Sequence, residues 1–529
     1  MDPSVLKSEV EGGRHARSIE KYGTPSDTLD MERMGKQQTL RRNFSFFSIF
    51  GFSIILMSTW EAQLGVGTFG LLNGGTAGMI YVYIGSWVGF AAITISMAEM
   101  ASMAPTAGGQ YHWVSEFAPA RAQKFLSYLI GWLCVLGWQA GTGSACFLAG
   151  TEIQGLLVLN RPDYVYQRWH GTLLTMAVIG FCGVFNTFLA KRLPLVESLI
   201  LILHISGFFA IIIPLWVLAP RSEGSAVFTQ FNDGGGWGST GLACLVGILA
   251  PVVSLLGSDA ATHMSEELKN ASKTLPRAMI STVAFNGALG FVMLITFCFC
   301  LGDVGSILST PTGYPFIQVF YNATLSTGGA TAMTSILIVL ATVGGMTNMA
   351  TASRQLFAFA RDQGVPFSGF FSSVPAGWGI PLNAVITTTA IASALSVINI
   401  GSTIAFNQIT SLGLCALLSS YLVSISCIAL KRIRKEPLLT SYFSLGRFGL
   451  VINVTAILFV LLAYIMIFFP PTPHPIPSGM NWSVVIYLGV LSISLLYYFP
   501  KGKHVYVGPV KYVNKNIGRM VIKAERMGP

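Results

Sequence analysis

The sequence predicts an all-α polytopic membrane protein with twelve transmembrane helices, two of them broken. Hydrophobic residues make up 52% of the 529 residues and charged residues only 10%, whereas soluble domains carry roughly 25% charge. Apolar stretches long enough to cross a bilayer recur along the chain. The first and the sixth of these stretches contain ionisable and helix-breaking residues, which predicts interruptions in helices 1 and 6.

Twelve apolar stretches are predicted to cross the membrane. Their approximate positions are 44–73, 76–98, 125–150, 170–190, 193–219, 240–263, 277–301, 328–350, 382–400, 404–430, 448–469 and 481–499. The predicted organisation is an N-terminal tail (1–43), helices 1–5 (44–219), an outer loop (220–239), helices 6–10 (240–430), a cytoplasmic loop (431–447), helices 11 and 12 (448–499) and a C-terminal tail (500–529). Because the N-terminal tail is polar and of mixed charge, we expect a solvated segment without regular structure.

The distribution of basic residues predicts the orientation of the chain. With the N-terminus in the cytoplasm, all but three of the 32 Lys and Arg residues lie on the inner side, the exceptions being Arg161, Arg168 and Arg221. The positive-inside rule then places both termini in the cytoplasm. The net charge of +10 is explained by this orientation and by contact with anionic lipid of the inner leaflet, so no nucleic-acid partner is expected.

The sequence contains few motifs typical of metal binding, catalysis or covalent modification. The eight cysteines all lie in predicted spans and lack zinc-ligand spacing, so we expect neither a metal site nor a disulfide framework. The soluble segments contain no nucleophile-elbow, phosphate-binding or metal-ligand pattern, so we expect neither an enzyme nor a bound cofactor. Glycosylation sequons at Asn322 and Asn481 lie in predicted outer loops and are candidate modification sites.

The first span carries a carboxylate, Glu61, near its middle. A charge at the bilayer centre costs about 2.5 to 3.5 kcal/mol, so it usually faces a cavity or a partner. About 28 residues would make a straight helix of about 42 Å, against a hydrocarbon core of about 30 Å. The sequence therefore predicts two half-helices joined by an unwound turn, and the candidate substrate-binding residues of this turn are Ser58, Thr59, Trp60, Glu61 and Ala62.

The sixth span has a similar interruption. Pro251 and Gly257 both disfavour a continuous helix, and Ser258 and Asp259 follow them. The candidate binding residues here are Ser254, Gly257, Ser258 and Asp259. For Asp259 we expect first a structural role as the N-cap of the inner half-helix and second a direct substrate contact. Unwound backbone at membrane depth is tolerated where it lines a cavity, so the substrate is expected between the two breaks.

The residues at the first break favour a positively charged substrate. An anionic side chain beside Trp60 suits an ammonium group through ion pairing and a cation–π attraction of about 0.5 to 2 kcal/mol. The N-terminal ends of half-helices could hold a substrate carboxylate, so a zwitterion would use both features. The alternative is that Glu61 only fixes the break. Trp138, near the middle of span three, is a candidate pocket wall, although close packing between helices is the more common role for such a residue.

Span five contains two titratable residues on one face. Glu197 lies seven residues before His204, which corresponds to about 10.5 Å along a helix. The two residues form a candidate proton relay towards the cytoplasm, because imidazole titrates near neutral pH. A simple hydrogen bond between helices is an equally acceptable role for His204, and coupling to sodium remains an alternative. Glu266 and Glu267 are candidate gate charges, with a solvated surface as the alternative.

Three motifs carry a family resemblance. They are MAEMASMAPTAGGQYHW from Met97, GSDAATHMSEELKNASKTLPRA from Gly257 and SRQLFAFARDQGVP from Ser353. The chain resembles the amino acid, polyamine and organocation (APC) superfamily, and within it the fungal amino acid/choline transporter family. The resemblance implies a LeuT-like inverted repeat of helices 1–5 and 6–10, with helices 11 and 12 added.

The functional expectation follows from the motifs and the broken helices together. We expect a plasma-membrane permease that imports a small cationic or zwitterionic nitrogenous solute, such as choline, 4-aminobutyrate (GABA) or another amino acid, by alternating access and coupled to protons. Two alternatives stay open at this point. One is a transporter of an amine-containing secondary metabolite, and the other is a nutrient sensor with little flux.

Overall fold

The computed structural model describes residues 23–509, apart from 37, 39, 376, 377 and 403. This part of the chain is almost entirely helical, and within it no β-strand forms. The α-helices are α1 Pro25–Arg33, α2 Phe46–Met57, α3 Thr59–Gly65, α4 Gly67–Leu72, α5 Gly75–Met103, α6 Gln110–Phe117, α7 Gln123–Asn160, α8 Arg168–Phe188, α9 Leu193–Leu218, α10 Gly224–Thr229, α11 Thr240–Val246, α12 Leu249–Leu255, α13 Ala260–His263, α14 Ala271–Cys300, α15 Val304–Leu308, α16 Pro315–Thr324, α17 Thr327–Arg361, α18 Ser368–Phe371, α19 Leu382–Ser396, α20 Ile398–Gly401, α21 Ala405–Ile433, α22 Gly449–Ile467, α23 Ser483–Tyr497 and α24 Lys503–Val505.

Eleven helical segments in residues 23–509 are long and apolar enough to cross a membrane. Three of them combine two successive helices, namely α2 and α3, α19 and α20, and α23 and α24. The other eight are the single helices α5, α7, α8, α9, α14, α17, α21 and α22. The predicted sixth span contains only a shorter apolar stretch, Thr240–Leu255, which is itself bent. The all-helical membrane fold is therefore confirmed, while the count of twelve spans and the inverted repeat stay predictions.

The first span is broken at a single residue. Ser58 has the left-handed backbone angles φ 42° and ψ 46°, so α2 ends at Met57 and α3 begins at Thr59. The expected unwound turn over residues 58–62 is thus shorter than predicted, because residues 59–62 already form the first turn of α3. Glu61 consequently projects from a regular helix directly after the break.

The sixth span is interrupted on the inner side of Leu255. Residues 256–259 are not helical, and Gly257 has φ 110°, a conformation that residues with a Cβ rarely adopt. Pro251 lies outside this break and accompanies a separate interruption at residues 247–248, between α11 and α12, because the ring of a proline clashes with the carbonyl four residues earlier. It is the third residue of α12, where a backbone N–H would lack an intrahelical partner in any case.

The last part of the predicted N-terminal tail is folded, which corrects the expectation of an unstructured segment for residues 23–43. Asp27 in α1 is buried, and its carboxylate accepts hydrogen bonds from the backbone N–H groups of Asn270 at 2.9 Å and Ala271 at 3.1 Å. Asp27 therefore caps the start of α14. Residues 1–22 of the tail lie outside the described residues.

Basic side chains fasten this N-terminal segment to the predicted cytoplasmic end of the bundle. Arg42 donates to the backbone carbonyls of Ser265, at 3.0 Å, and Leu268, and it lies 3.4 Å from the carboxylate of Asp27. Lys36 pairs with Asp362 at the end of α17. The segment thus joins elements that are far apart in the sequence.

The C-terminal tail begins inside the fold as well. Tyr506 is fully buried, and its hydroxyl lies 2.5 Å from that of Ser127 in α7. The backbone N–H of Val507 donates to the carbonyl of Asp362 at 3.4 Å. Residues 510–529, for which contact with the inner leaflet is expected, lie outside the described residues.

Two buried ion pairs close the predicted cytoplasmic end, and we call the four residues Glu266, Glu267, Arg354 and Arg361 the inner gate. Glu267 binds Nε of Arg354 at 2.9 Å, and Glu266 binds Arg361 through both oxygens at 2.9 and 2.6 Å. Both carboxylates are buried, since Glu266 is 1% exposed and Glu267 is 6% exposed. Of the two alternatives for these glutamates, a solvated surface is therefore excluded.

The charge of Glu266 is maintained by its partners. Burial by itself would raise the pKa of this carboxyl group, but Arg361, together with Lys36 and Arg42, outweighs burial and lowers the pKa below its ordinary value of 4.5. The stabilising contribution of Glu266 is therefore fully present above about pH 4.5 and is lost as the pH falls through the lowered pKa.

Candidate substrate-binding site

A cavity of about 120 Å³ lies beside both helix breaks. The side chains and backbone that line it come from α2, α3, α7, α12, α17 and α21 and from the unwound residues after α12. They are Leu56, Met57, Ser58, Glu61, Ala62, Val66, Gly137, Trp138, Gly141, Ser144, Ala145, Leu148, Val253, Leu256, Gly257, Ala341, Gly344, Asn348, Phe406, Thr410, Gly413, Leu414 and Leu417. Among these, Glu61 is the only residue that can carry a charge.

The predicted binding residues divide into two groups. Five of them line the cavity: Ser58, Glu61, Ala62, Trp138 and Gly257. The other five do not: Thr59, Trp60, Ser254, Ser258 and Asp259. A helical residue presents its side chain to one face only, so Thr59 and Trp60 of α3 point away from the cavity that Glu61 and Ala62 line.

Trp60 faces α9 instead of the cavity. Its ring centroid lies 5.7 Å from that of His204 and 5.9 Å from that of Phe208. The expected cation–π contact between Trp60 and a substrate is therefore not supported by this geometry. Ser254 and Ser258 are also engaged with protein groups, Ser254 with Gln63 at 2.9 Å and Ser258 with Thr94 at 2.7 Å.

Glu61 and His204 form a buried pair at the edge of the cavity. Nδ1 of His204 lies 2.6 Å from Oε1 of Glu61, and both side chains are almost completely buried. The other carboxylate oxygen of Glu61 and Nε2 of His204 have no hydrogen-bond partner among the described residues. The pair carries one negative charge when His204 is neutral and no net charge when His204 is protonated.

Glu197 does not contact His204. Its Oε1 accepts a 2.7 Å hydrogen bond from the hydroxyl of Thr347 in α17, and the residue is fully buried. The two predicted relay residues thus lie on one helix but bind different neighbours. Glu197 binds α17, whereas His204 binds α3, which carries the helix break.

A third buried carboxylate, Glu152 in α7, was missed by the sequence interpretation. The predicted third span ended at residue 150, which placed Glu152 in an outer loop. In the structure α7 continues to Asn160, and Glu152 is 1% exposed. The available signal was the uninterrupted helical sequence beyond residue 150, which contains no Gly-Pro or Asn-Gly turn before Asn160.

Asn348 and Thr410 are further lining residues that were not among the candidates. The amide nitrogen of Asn348 donates to the carbonyl of Gly344 at 3.0 Å, so its oxygen remains available as an acceptor. The hydroxyl of Thr410 lies 2.6 Å from that of Ser144 across the α7–α21 contact. These polar groups could not be assigned to the cavity from the sequence, since that assignment requires the rotation of each helix.

Trp138 connects the cavity wall to the inner half-helix α13. Its Nε1 donates a 2.9 Å hydrogen bond to Nε2 of His263, whose Nδ1 lies 2.9 Å from the carbonyl oxygen of Ala107. Since Nε2 accepts, Nδ1 must carry the proton and donate to Ala107, which makes this His263 tautomer neutral. A substrate that displaces the indole would therefore also disturb α13.

Asp259 lies at the N-cap position of α13, but its side chain does not cap the helix. The carboxylate instead accepts hydrogen bonds from Nε2 of Gln110 and from the hydroxyl of Tyr421, both at 2.6 Å. The predicted capping role of Asp259 is thus wrong, because Gln110 of α6 and Tyr421 of α21 bind its two carboxylate oxygens instead. The side chain ties the inner half-helix to these two elements.

Most of the chain, including this site, matches a known protein family. The family described as amino acid permease matches residues 44–491, which include every residue that lines the cavity. The chain belongs to the amino acid permease family. The prediction made from the three motifs is confirmed, and this permease is a secondary transporter and not an enzyme.

Relatives of the permease include proteins named for several small solutes. A protein named as an amino acid/polyamine transporter from Macrophomina phaseolina is 34% identical over 440 residues, which cover 82% of this chain and 96% of the relative. The choline transporter of Saccharomyces cerevisiae is 29% identical over 467 residues, covering 88% of this chain and 82% of the relative.

One solved structure shows the same kind of fold as the permease. It is a mutant manganese transporter from Eremococcus coleocola, with a TM-score of 0.51 and 13% identity, covering 89% of this chain and 95% of the other. At this identity the likeness concerns the fold alone.

The two candidate glycosylation sites of the permease differ in accessibility. Asn481 is fully buried, and its amide nitrogen donates to Ser411 at 3.3 Å and to the carbonyl of Ile467 at 3.1 Å. The prediction for Asn481 is therefore wrong, because a glycan would have to replace these internal contacts. Asn322, in α16 at the predicted outer end, is partly exposed, and its modification stays a prediction.

We expect Trp138→Phe to separate the two roles of Trp138 in the permease. Phe keeps an aromatic surface in the cavity wall but cannot donate to His263. Loss of one buried hydrogen bond with an acceptor left unpaired costs about 1 to 3 kcal/mol, which should change the rate of transport more than substrate affinity. The check compares the maximal rate and the half-saturation of uptake with those of Trp132→Phe. The Nε1 of Trp132 donates to the carbonyl of Gly364, away from the cavity.

Proposed function

We propose that this permease imports a small cationic or zwitterionic nitrogenous solute across the plasma membrane, coupled to protons and by alternating access. Choline is the first candidate substrate, followed by 4-aminobutyrate and other amino acids. The observation that carries the proposal is the position of Glu61, the only chargeable residue among those that line the cavity. A single carboxylate in an otherwise apolar and weakly polar cavity attracts a cation and repels an anion.

The rest of the cavity supplies contacts for an ammonium or a methylated ammonium group. Trp138 and Phe406 offer aromatic surface, and the oxygen of Asn348 is an acceptor for an N–H donor. Trp138 takes the place expected for Trp60 as the aromatic partner of the cation. A zwitterionic substrate would in addition place its carboxylate near the first backbone N–H groups of α3, which have no side-chain cap.

Alternating access is supported by the ion pairs that close one end of the molecule. The inner gate and the docked N-terminal segment close the end that is predicted to face the cytoplasm. Release of substrate to the cytoplasm would require these ion pairs to separate. The breaks at Ser58 and Gly257 allow the inner half-helices to move without disturbing the outer ones.

Proton coupling is proposed for His204 with Glu61, and for Glu197 on the inner side. Protonation of His204 removes the net charge of the pair that borders the cavity, so proton binding and substrate binding influence each other electrostatically. Glu197 is a second buried carboxylate nearer to the cytoplasmic end of α9. Coupling to sodium is the competing possibility for the same cavity.

Uptake measurements test the substrate and the coupling ion together. Labelled choline and labelled 4-aminobutyrate are supplied to a transporter-deficient host that expresses the permease, at two external pH values and with or without sodium. We expect choline uptake that is faster at the lower pH and independent of sodium. Absence of uptake of both solutes by protein that reaches the cell surface would overturn the proposal.

We expect His204→Gln to lose the pH dependence of uptake. Gln can still donate a hydrogen bond to Glu61 but does not titrate, so the ratio of uptake at pH 5 to that at pH 7 should fall to about one. The measurement is the initial uptake rate over this pH range. His170→Gln is the matched control, because His170 lies at the predicted outer end and contacts Tyr164. An unchanged pH profile for His204→Gln would remove this residue from the coupling mechanism.

A further inference from the structure

Glu152 is a buried carboxylate that the proposed mechanism does not yet use. It is 1% exposed, and its Oε2 has no hydrogen-bond partner. In the part of the chain that the structure describes, no Lys or Arg side chain forms an ion pair with it, as all such pairs involve other carboxylates. A carboxylate is almost never placed in this way for packing alone.

The neighbours of Glu152 connect it to the substrate cavity. Its Oε1 lies 3.6 Å from the position that a Cβ would occupy on Gly65, in the same short helix as Glu61. Glu61 lies one helical turn before Gly65 in this helix, so a charge on Glu61 disfavours a charge on Glu152. Tyr314, from the segment before α16, contacts the residue before Glu152. His204 binds Glu61, with 2.6 Å between Nδ1 and Oε1, and forms no ion pair with Glu152 among the described residues.

This arrangement determines the protonation state of Glu152 when the protein is closed. A buried carboxylate without a cation or a donor is unstable in its charged form, and a second carboxylate nearby makes it less stable. His204 can neutralise only Glu61, to which it is bonded. Glu152 therefore holds a proton in the closed state, as a neutral carboxylic acid.

The three titratable positions follow one another across the predicted membrane. Glu152 lies eight residues before the outer end of α7 at Asn160, about 12 Å along the helix. Glu61 and His204 lie at the central break, and Glu197 lies near the inner end of α9, which begins at Leu193. The hydroxyl of Thr151 beside Glu152 is bonded to that of Tyr314 at 2.6 Å, so an outer segment covers this position.

We propose that Glu152 is the residue at which the coupling proton enters from the outer side. When the outer segment opens, the Glu152 carboxylate accepts one proton from a hydronium ion of the outer solution, which leaves a water molecule, and becomes the carboxylic acid that is then enclosed. The same proton then passes to the Glu61–His204 pair, which leaves Glu152 as a carboxylate again, and continues to Glu197. This inference rests on the proposed proton coupling and adds a residue that no sequence signal had marked.

The test uses the purified full-length permease in liposomes. Two transport modes are measured with labelled choline, or with 4-aminobutyrate if that is the solute taken up by cells: accumulation driven by an imposed pH gradient, and counterflow against unlabelled solute at equal pH. For Glu152→Gln, which resembles the protonated carboxylic acid, we expect accumulation to fall at least tenfold and counterflow to stay within twofold of the unmodified protein. Glu223→Gln, a change at an exposed glutamate of the outer loop, should affect neither.

The possible outcomes distinguish a failure of the role of Glu152 from a failure of proton coupling. Gradient-driven accumulation by Glu152→Gln at the normal rate overturns the role of Glu152 and leaves proton coupling intact. Loss of both modes indicates a structural role and also overturns the inference. Counterflow without any accumulation by the unmodified permease refutes proton coupling itself. If Glu152→Gln does not fold, Glu152→Asp replaces it, and we expect this variant to keep accumulation with a shifted pH profile; an unshifted profile contradicts the inference.

Discussion

Replacing Glu61 with Gln is expected to abolish the uptake of cationic substrates while leaving the amount of protein at the cell surface unchanged. Gln has nearly the same size, and its oxygen can still accept the hydrogen bond from Nδ1 of His204. The variant therefore removes the charge and little else. Interactions of a charged group contribute about 1.5 to 3 kcal/mol, which corresponds to at least about a tenfold loss of affinity. Initial rates of labelled choline uptake, normalised to surface protein, measure the effect.

The control for this experiment is Glu223→Gln, which changes an exposed glutamate away from the cavity. It should transport at the normal rate. A zwitterionic substrate is expected to lose less affinity than choline in Glu61→Gln, since its carboxylate contacts remain. Uptake of choline at the normal rate by Glu61→Gln would exclude the carboxylate from substrate binding and would favour the alternative that Glu61 only fixes the helix break.

The second large effect is expected from Arg354→Gln in the inner gate. Arg354 is 1% exposed and binds Glu267, which is 6% exposed. Removing one partner of a buried ion pair leaves an uncompensated charge, at a cost of about 3 to 5 kcal/mol. This cost applies to the closed state, so the variant should favour the state open to the cytoplasm. We expect a lower thermal unfolding midpoint in detergent and a slower gradient-driven accumulation.

Two further variants test whether the effect of Arg354→Gln comes from the broken ion pair. The double variant Arg354→Gln with Glu267→Gln removes both charges and should recover most of the lost thermal stability. Arg434→Gln removes a pair with Glu436 in which both side chains are exposed, so it should change stability by no more than about 1 kcal/mol. Equal destabilisation by Arg354→Gln and by the double variant would contradict a stabilising ion pair at this position.

The architecture could be predicted from the sequence because it depends on composition and on length. Lipid requires that backbone polar groups bond within each span, so long apolar stretches could only be helices. The two interruptions were also recognisable, since Glu61 and Gly257 are residues that a continuous apolar helix disfavours. The detailed form of these interruptions was not recognisable from the sequence. A single left-handed residue at Ser58 and a helical Pro251 depend on packing that the sequence pattern does not reveal.

The composition of the site was predicted only in part, for geometric reasons. The residues around the first break were chosen because they follow one another in the sequence, whereas a helix distributes consecutive side chains over all its faces. Glu61 and Ala62 therefore line the cavity while Trp60 contacts His204. Glu152 was missed for a different reason, namely that the third span was predicted to end at residue 150, two residues before the carboxylate.

The N-terminal tail was expected to lack regular structure because of its charge, which determines the conformation of a segment only when that segment has no binding partner. Its order comes from partners elsewhere in the chain: Asp27 caps α14, and Arg42 binds carbonyls of residues 265 and 268. Contacts of this kind leave no local periodicity. A polar segment beside a membrane domain should therefore be examined for single charged residues that could serve as caps.

The docking of this segment also has a consequence for biosynthesis. Lys36 and Asp362 are 326 positions apart, so the ribosome has to produce most of the polypeptide before the first can meet the second. The segment emerges earliest and yet must wait until α14 and α17 have been inserted. Its attachment therefore follows the insertion of both helices, and a chain that stalls or misplaces either helix would leave the segment unattached and accessible to proteases.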